Sequence, residues 1–281
     1  LQSIGFECFY NCSSLKSGKL LPKNIESIGH GAFYGCYKLN CSLEIPRNLQ
    51  KIESQTFFNC SNLFGQLIIP SSVDYIGNGS FYNCNKLSSL IISGSVDRIG
   101  KKSFYNCYGL NSLIISGSVN TIDEESFRNC YGLNSLIING SVIYIGTCAF
   151  YKCSSISYLI LPDRLEKIDS YAFYSCSSLS NLTIPKYVTS VGSHAFYNCY
   201  GLKNLSIPQS VTSIGSYAFY NCNRIEGKLT IPSSLRRIEN YTFYNCSCFY
   251  GSLTIPPYIE FIGSYAFCGC KGLNGSLKVE P

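Results

Sequence analysis

The chain has 281 residues, 46% of them apolar and 14% charged, a composition too apolar for a disordered chain and too lightly charged for a coiled coil. Lys and Arg (22) exceed Asp and Glu (16) by six but are scattered, which points away from nucleic acid as a partner. No apolar run is long enough to cross a membrane, and two His leave little room for His-based catalysis or zinc.

Read from the N-terminus, the chain repeats one element. Phe followed three residues later by Cys recurs from Phe9–Cys12 to Phe267–Cys270, twelve times, at spacings of 23 or 24 residues. Within the unit that ends at Phe219, Leu205-Ser206-Ile207 alternates with period two, which predicts a short half-buried strand. Pro208 ends it, because proline cannot donate to a ladder. Val211 and Ile214, followed by Gly215, predict a second short extended segment and a turn. Residues 216–222 hold no second turn of apolar periodicity, so a tight turn or short 3₁₀ piece is expected there, not a long helix. One unit cannot bury its own apolar face, and stacking puts Leu on Leu, Ile on Ile and Phe on Phe.

These features predict a solenoid, mainly β with short parallel strands and turns, of about twelve stacked repeats that form one domain over residues 1–281. Leu1 starts in the Val column and Pro281 stops just after a strand; neither end shows a polar cap, and no initiator Met is present. The chain is therefore expected to be a fragment of a longer array.

The pattern CxxLxxLxIPxSVTSIGxxAFxxC, met from Cys199 to Cys222, resembles the BspA-like, or Treponema-type, leucine-rich repeat, and the resemblance covers essentially the whole chain. Such proteins occur in mucosal bacteria and parasitic protists, often at the cell surface where they bind host proteins or cells. The resemblance implies a leucine-rich-repeat solenoid with a recognition or adhesion role. It supplies no catalytic residues to carry over.

Twelve of the 17 Cys fall in one column, and Cys8, Cys41, Cys148, Cys248 and Cys268 are extra. A disulfide framework and a ladder of buried thiols are both conceivable; the single file favours the ladder, because stacked neighbours point the same way and a disulfide needs converging Cβ vectors. The residue after each Phe is nearly always Tyr, with breaks at Arg128 and Cys268, and this regular column is expected to hold the turns in register. Ten Asn lie in N-x-S/T sequons, three of which (Asn11, Asn59 and Asn245) sit beside the Cys column. In the 24-residue units the extra residue falls just before the strand, in segments that contain Gly18, Gly65, Gly227, Gly251 and Gly275.

The strand residue between the two core positions points away from the core. It is Ile68, Ile91, Ile114, Ile137 and Ile160 in five successive units, then Thr183, Ser206, Thr230 and Thr254. Over part of the same stretch, Pro after the strand becomes Ser93-Gly94, Ser116-Gly117 and Asn139-Gly140. Ile is a good strand former, but a contiguous apolar row confined to one zone also suits protein binding or self-association, and these five Ile are the candidate binding residues.

No phosphate loop, zinc-protease motif or nucleophile elbow occurs, and Asp123, Glu124 and Glu125 suggest a solvated acidic turn. No catalytic residue, cofactor or metal is expected. Two functions fit: a cell-surface or secreted adhesion module that binds a host or matrix protein or a glycan, and a cytoplasmic scaffold for protein–protein interaction. Membrane attachment would come only from segments outside these residues.

Overall fold

The computed structural model describes every residue except Ser17, Lys19 and Pro281, so the end of the chain expected at Pro281 lies outside the described residues. The chain divides into two compact units, Leu1–Val142 and Ile143–Pro281. Among the described residues there are 21 short strands and no helix, and the strands pair in parallel. This is the β-solenoid that the repeat predicts.

In the first unit, Phe64–Ile69, Lys86–Ile92, Ser112–Ile115 and Ser135–Ile138 form one parallel sheet, and Lys51–Ile52, Tyr75–Ile76, Val96–Ile99 and Val119–Ile122 form a second. In the second unit, Lys167–Ile168, Ser190–Val191 and Ser213–Ile214 form a parallel row of their own, and Asn181–Thr183 pairs with Asn204–Ser206. The first strand of each turn ends where Pro or Ser-Gly follows. Where Ser-Gly or Asn-Gly stands in place of Pro and its following residue, the backbones close up at the Gly: a Cβ on Gly117 would meet the Gly94 carbonyl oxygen at 1.9 Å, and one on Gly140 the Gly117 oxygen at 1.8 Å. The Gly that follows the replaced Pro in these central turns is therefore a packing requirement between turns.

The segment before each Cys is a turn, as predicted, but its form is specific. Two residues per turn, two before and two after the Phe, take left-handed backbone. Gln55 and Asn59 (φ 57° and 59°) and Tyr217 and Asn221 (61° and 58°) are examples. Between them the N–H groups alternate in use. Gln55, Phe57 and Asn59 donate to the Asn78, Ser80 and Tyr82 carbonyls of the next turn at 2.9, 2.8 and 2.8 Å. Thr56, Phe58 and Cys60 donate to carbonyls three residues back, at 3.4, 3.1 and 3.1 Å. Every second peptide thus ties one turn to the next, and the left-handed residues stop the local turns from running on into a helix.

Length changes are absorbed at glycine. Pairing between Phe64–Ile69 and Lys86–Ile92 slips between Gly65 and Gln66, and Gly65 has φ +81°. Gly227 (+102°) and Gly251 (+82°) are left-handed at the equivalent place, whereas Gly18 and Gly275 are not.

The core of each unit is a ladder of fully buried side chains. Phe33, Phe57, Phe81 and Phe104 stack at 5.5, 5.4 and 5.1 Å between ring centroids, and Phe173, Phe196, Phe219 and Phe243 at 5.4, 5.5 and 5.6 Å. Each buried ring contributes roughly 1.5–3 kcal/mol, and each stacked pair about 0.5–1.5 kcal/mol more.

Candidate binding faces

The outward strand column is built as its alternation predicts. Ile68, Ile91, Ile114 and Ile137 pair in one register row of the first unit, between buried Leu67/Ile69, Leu90/Ile92, Leu113/Ile115 and Leu136/Ile138. Ile68 and Ile137 are 47% and 42% exposed, and Ile91 and Ile114 are half-buried. Ser89, Ser112 and Ser135 form the neighbouring row on the same face. At the Ile68 end lies a shallow hollow of about 480 Å³, lined by Glu44, Ile45, Arg47, Gln66, Ile68 and Ser93. Ile160 belongs to the second unit, where it follows Tyr158–Leu159 and is 58% exposed.

The aromatic column after the core Phe is a stack. Tyr10, Tyr34, Phe58, Tyr82 and Tyr105 follow one another at 4.6, 4.6, 4.4 and 4.8 Å, and Arg128 closes the series with its guanidinium 6.0 Å from the Tyr105 ring. In the second unit Tyr174, Tyr197, Tyr220 and Tyr244 stack at 4.8, 4.5 and 4.6 Å. Burial and neighbouring phenols push Tyr197 up to about 12, so it stays a hydroxyl donor at any physiological pH. The break at Cys268 leaves that thiol exposed.

Beside this column the second unit carries another, which the reading of the sequence missed. Tyr171, His194, Tyr217, Tyr241 and Tyr265 stack at 4.5, 4.6, 4.6 and 4.9 Å. They also lean on the first column, as in Tyr217–Tyr220 (5.6 Å, 43°) and Tyr241–Tyr244 (5.6 Å, 52°). The signal was present as the recurring S-Y-A-F, S-H-A-F and N-Y-T-F two residues before each core Phe. His194 is thus a member of a ring stack, and burial lowers its pKa. His30 likewise stacks on Phe6, at 5.6 Å.

The column Cys are free and buried apart from Cys12, and they do more than fill space. Ten of the column thiols donate to the carbonyl of the Phe one turn earlier, for example Cys60 to Phe33 at 3.0 Å, Cys84 to Phe57 at 3.3 Å and Cys222 to Phe196 at 3.1 Å. Burial, and to a smaller extent the neighbouring Cys12 thiol, pushes Cys36 up to about 11; burial raises Cys84 and Cys199 further. Such thiols are poor nucleophiles and poor metal ligands. Of the extra Cys, Cys41 is buried, Cys148 half-buried, and Cys8, Cys248 and Cys268 are exposed.

The acidic run differs from the expected solvated turn. Asp123, Glu124 and Glu125 each face a base of the preceding turn, namely Arg98, Lys101 and Lys102, all at 3.1 Å, and Arg128 adds a second contact to Glu125 at 2.7 Å. Of the three sequons beside the Cys column, Asn11 is exposed, whereas Asn59 and Asn245 are half-buried in a ladder of amides, with Asn83 donating to Asn59 and Asn245 to Asn221. Among the described residues no three His, Cys, Asp or Glu come together to hold a metal, and no helix is long and apolar enough to cross a membrane.

A model of the BspA-type leucine-rich repeat region, in six copies, matches residues 2–134, 120–249 and 247–278. Among solved structures, a leucine-rich repeat protein from Bacteroides ovatus is 24% identical with a TM-score of 0.60, over 98% of this chain and 82% of that one. A leucine-rich cell surface protein from Faecalibacterium prausnitzii is 24% identical with a TM-score of 0.57, over 100% and 83%. At that identity the likeness concerns the fold. No curated protein matches. With the family model spanning nearly all of the repeats and the stacked Leu, Phe and Cys columns in place, the chain belongs to the BspA-type leucine-rich repeat family.

Proposed function

We propose that this chain is a non-catalytic adhesion module that binds a protein at the cell surface through its outward strand row. The observation that carries this reading is the register row Ile68–Ile91–Ile114–Ile137, an apolar strip with a serine border on a face that the unit's own core does not cover. Parallel strands at about 4.8 Å make four such residues a strip of roughly 15 Å. An apolar centre with a small polar rim is how protein-recognition patches are built. The cell-surface description of the Faecalibacterium prausnitzii relative agrees with this location. Ile160, on the second unit, is proposed as a further binding residue there.

The test uses immobilised extracellular-matrix proteins and glycans as probes, with Ile91→Thr, Ile114→Thr and Ile137→Thr combined. Thr183 and Thr254 already hold the equivalent place in other turns, so the melting temperature should change little. Binding to the protein that the parent chain recognises should weaken tenfold or more, about 1.4 kcal/mol. Unchanged binding by the folded triple variant removes the strip as the site. Recovery of a cytosolic partner with the native protein, with no surface exposure on intact cells, would favour the scaffold reading instead.

A further inference from the structure

We propose that the double aromatic row of the second unit is a self-association face, on which a second copy of this chain docks. The turns at 170–175, 193–198, 216–221, 240–245 and 264–269 read SYAFYS, SHAFYN, SYAFYN, NYTFYN and SYAFCG. They contain no Asp, Glu, Lys or Arg. The equivalent segments in the first unit do carry charge, with Lys101 and Lys102 in one turn and Glu124, Glu125 and Arg128 in the next. The turn before them, 147–152, carries Lys152, so these five turns are the longest uninterrupted neutral run of this face.

The first supporting observation is the backbone. Tyr171, His194, Tyr217, Tyr241 and Tyr265 have φ of 59°, 58°, 61°, 57° and 58°. A side chain larger than Asn is disfavoured there by roughly 1–2 kcal/mol per residue. Gly31 and Gly79 fill the same place without that cost (φ 62° and 60°). Glu7, Gln55, Lys102 and Glu125 bear the same backbone in the first unit (φ 47°, 57°, 55° and 56°), so what sets these five turns apart is the run of aromatic rings, not the strain. Stacking offsets part of the strain, but the Phe and Tyr columns beside it already hold these turns in register.

The second observation is what the rows present. Ring faces are spent on one another at centroid steps of 4.5 to 4.9 Å, so the surface offers ring edges, with a phenol hydroxyl at every place but that of His194. Ligands that recognise aromatic faces find them covered. A phenol is both donor and acceptor, so a phenol row is self-complementary. A second copy of the row is the occupant that matches this step along its whole length, which gives a two-fold, same-face contact. The rings are already fixed by their neighbours, so little side-chain entropy is lost on docking. Charge points the same way: the chain carries +6, two copies repel, and this charge-free face is where they approach at least cost.

The experiment is sedimentation velocity on the full chain over a micromolar concentration series, at low and at high salt, with reductant present. The expected result is a concentration-dependent dimer that salt strengthens, because screening removes the repulsion and breaks no ion pair on the face. Two variants follow. Tyr217→Lys with Tyr241→Lys puts charge where Lys102 already sits in another turn at φ 55°, and should weaken dimerisation tenfold or more. Tyr217→Gly with Tyr241→Gly removes the rings, relieves the backbone and should do the same with the fold kept, as checked by circular dichroism. The Ile91/Ile114/Ile137 triple variant should dimerise like the parent, which separates this face from the strand row. A chain that stays monomeric at every concentration overturns the proposal, as does a dimer that both tyrosine variants leave unchanged.

Discussion

Ser103 and Ser80 sit next to the core Phe, fully buried, and neither hydroxyl has a hydrogen-bond partner. In other turns the same place holds Ala149, Ala172, Ala195 and Ala218, which are also fully buried. Thr56 and Thr242 solve the problem differently, donating to the Glu53 and Glu239 carbonyls at 2.7 and 2.8 Å. A buried hydroxyl without a partner costs about 1–3 kcal/mol. Ser103→Ala should therefore stabilise the protein by about 1 kcal/mol, seen as a higher urea midpoint at unchanged slope, whereas Thr56→Ala should not. Equal effects of the two would show that the hydroxyls are not distinguished by their bonding. At this scale the identity of the buried residues was legible, because apolar columns recur at fixed spacing. What a buried residue bonds to was not. The carbonyl that accepts from the Cys60 thiol lies 27 residues earlier, on Phe33, and no local pattern names it.

The turn between the second strand and the Cys is the element that sets this solenoid apart, and Asn is its working residue. Asn106 has φ 60°, donates its N–H to the Arg128 carbonyl at 2.9 Å, and accepts from the Asn129 amide at 2.9 Å. Asn and Gly tolerate this backbone best, which is why Asn precedes the column Cys in eight of the twelve turns and Gly35 and Gly269 in two others, with Lys152 and Ser175 in the remaining two. Asn106→Ala should lose about 1–2 kcal/mol, from strain and from the amide contact together. Asn106→Gly should lose less, because only the amide contact goes. Urea unfolding of both variants checks the order, and Ala no worse than Gly would contradict a left-handed turn here. The short strands and the turn between them were legible from the alternation around Leu205 and Ile207 and from the missing apolar period after Gly215. The left-handed pairs were not, because an Asn near a Cys reads equally well as a sequon. Nor was the pairing of Glu124 with Lys101, since it depends on how turns are offset rather than on either segment alone.

Across the molecule both units are held by one device, columns of identical side chains in contact with themselves. The candidate faces follow from the same rule, since any outward column becomes a row. The Ile row could be found by counting, whereas the double aromatic row required knowing that two columns three residues apart in sequence lie side by side. A ladder of buried thiols also gives the whole protein a common response to pH. Burial, before any other cause, raises Cys36 and Cys270 to about 11 and drives Cys60, Cys84, Cys107, Cys176, Cys199 and Cys246 higher still. In the unfolded chain a thiol ionises near pH 8.5, roughly. Below that value both states keep their protons and stability is level. Above it the unfolded chain releases thiol protons that the folded chain retains, so stability falls as pH rises toward and through about 11. Under reducing conditions the urea midpoint should hold between about pH 6 and pH 8 and drop steeply above about pH 9, with several protons released per chain on unfolding. Without reductant the profile should be the same, because a free ladder has nothing to reduce. A profile that stays flat to about pH 11 until reductant is added would mean that the column is bridged, and the thiol-to-carbonyl contacts that tie one turn to the next would then be absent.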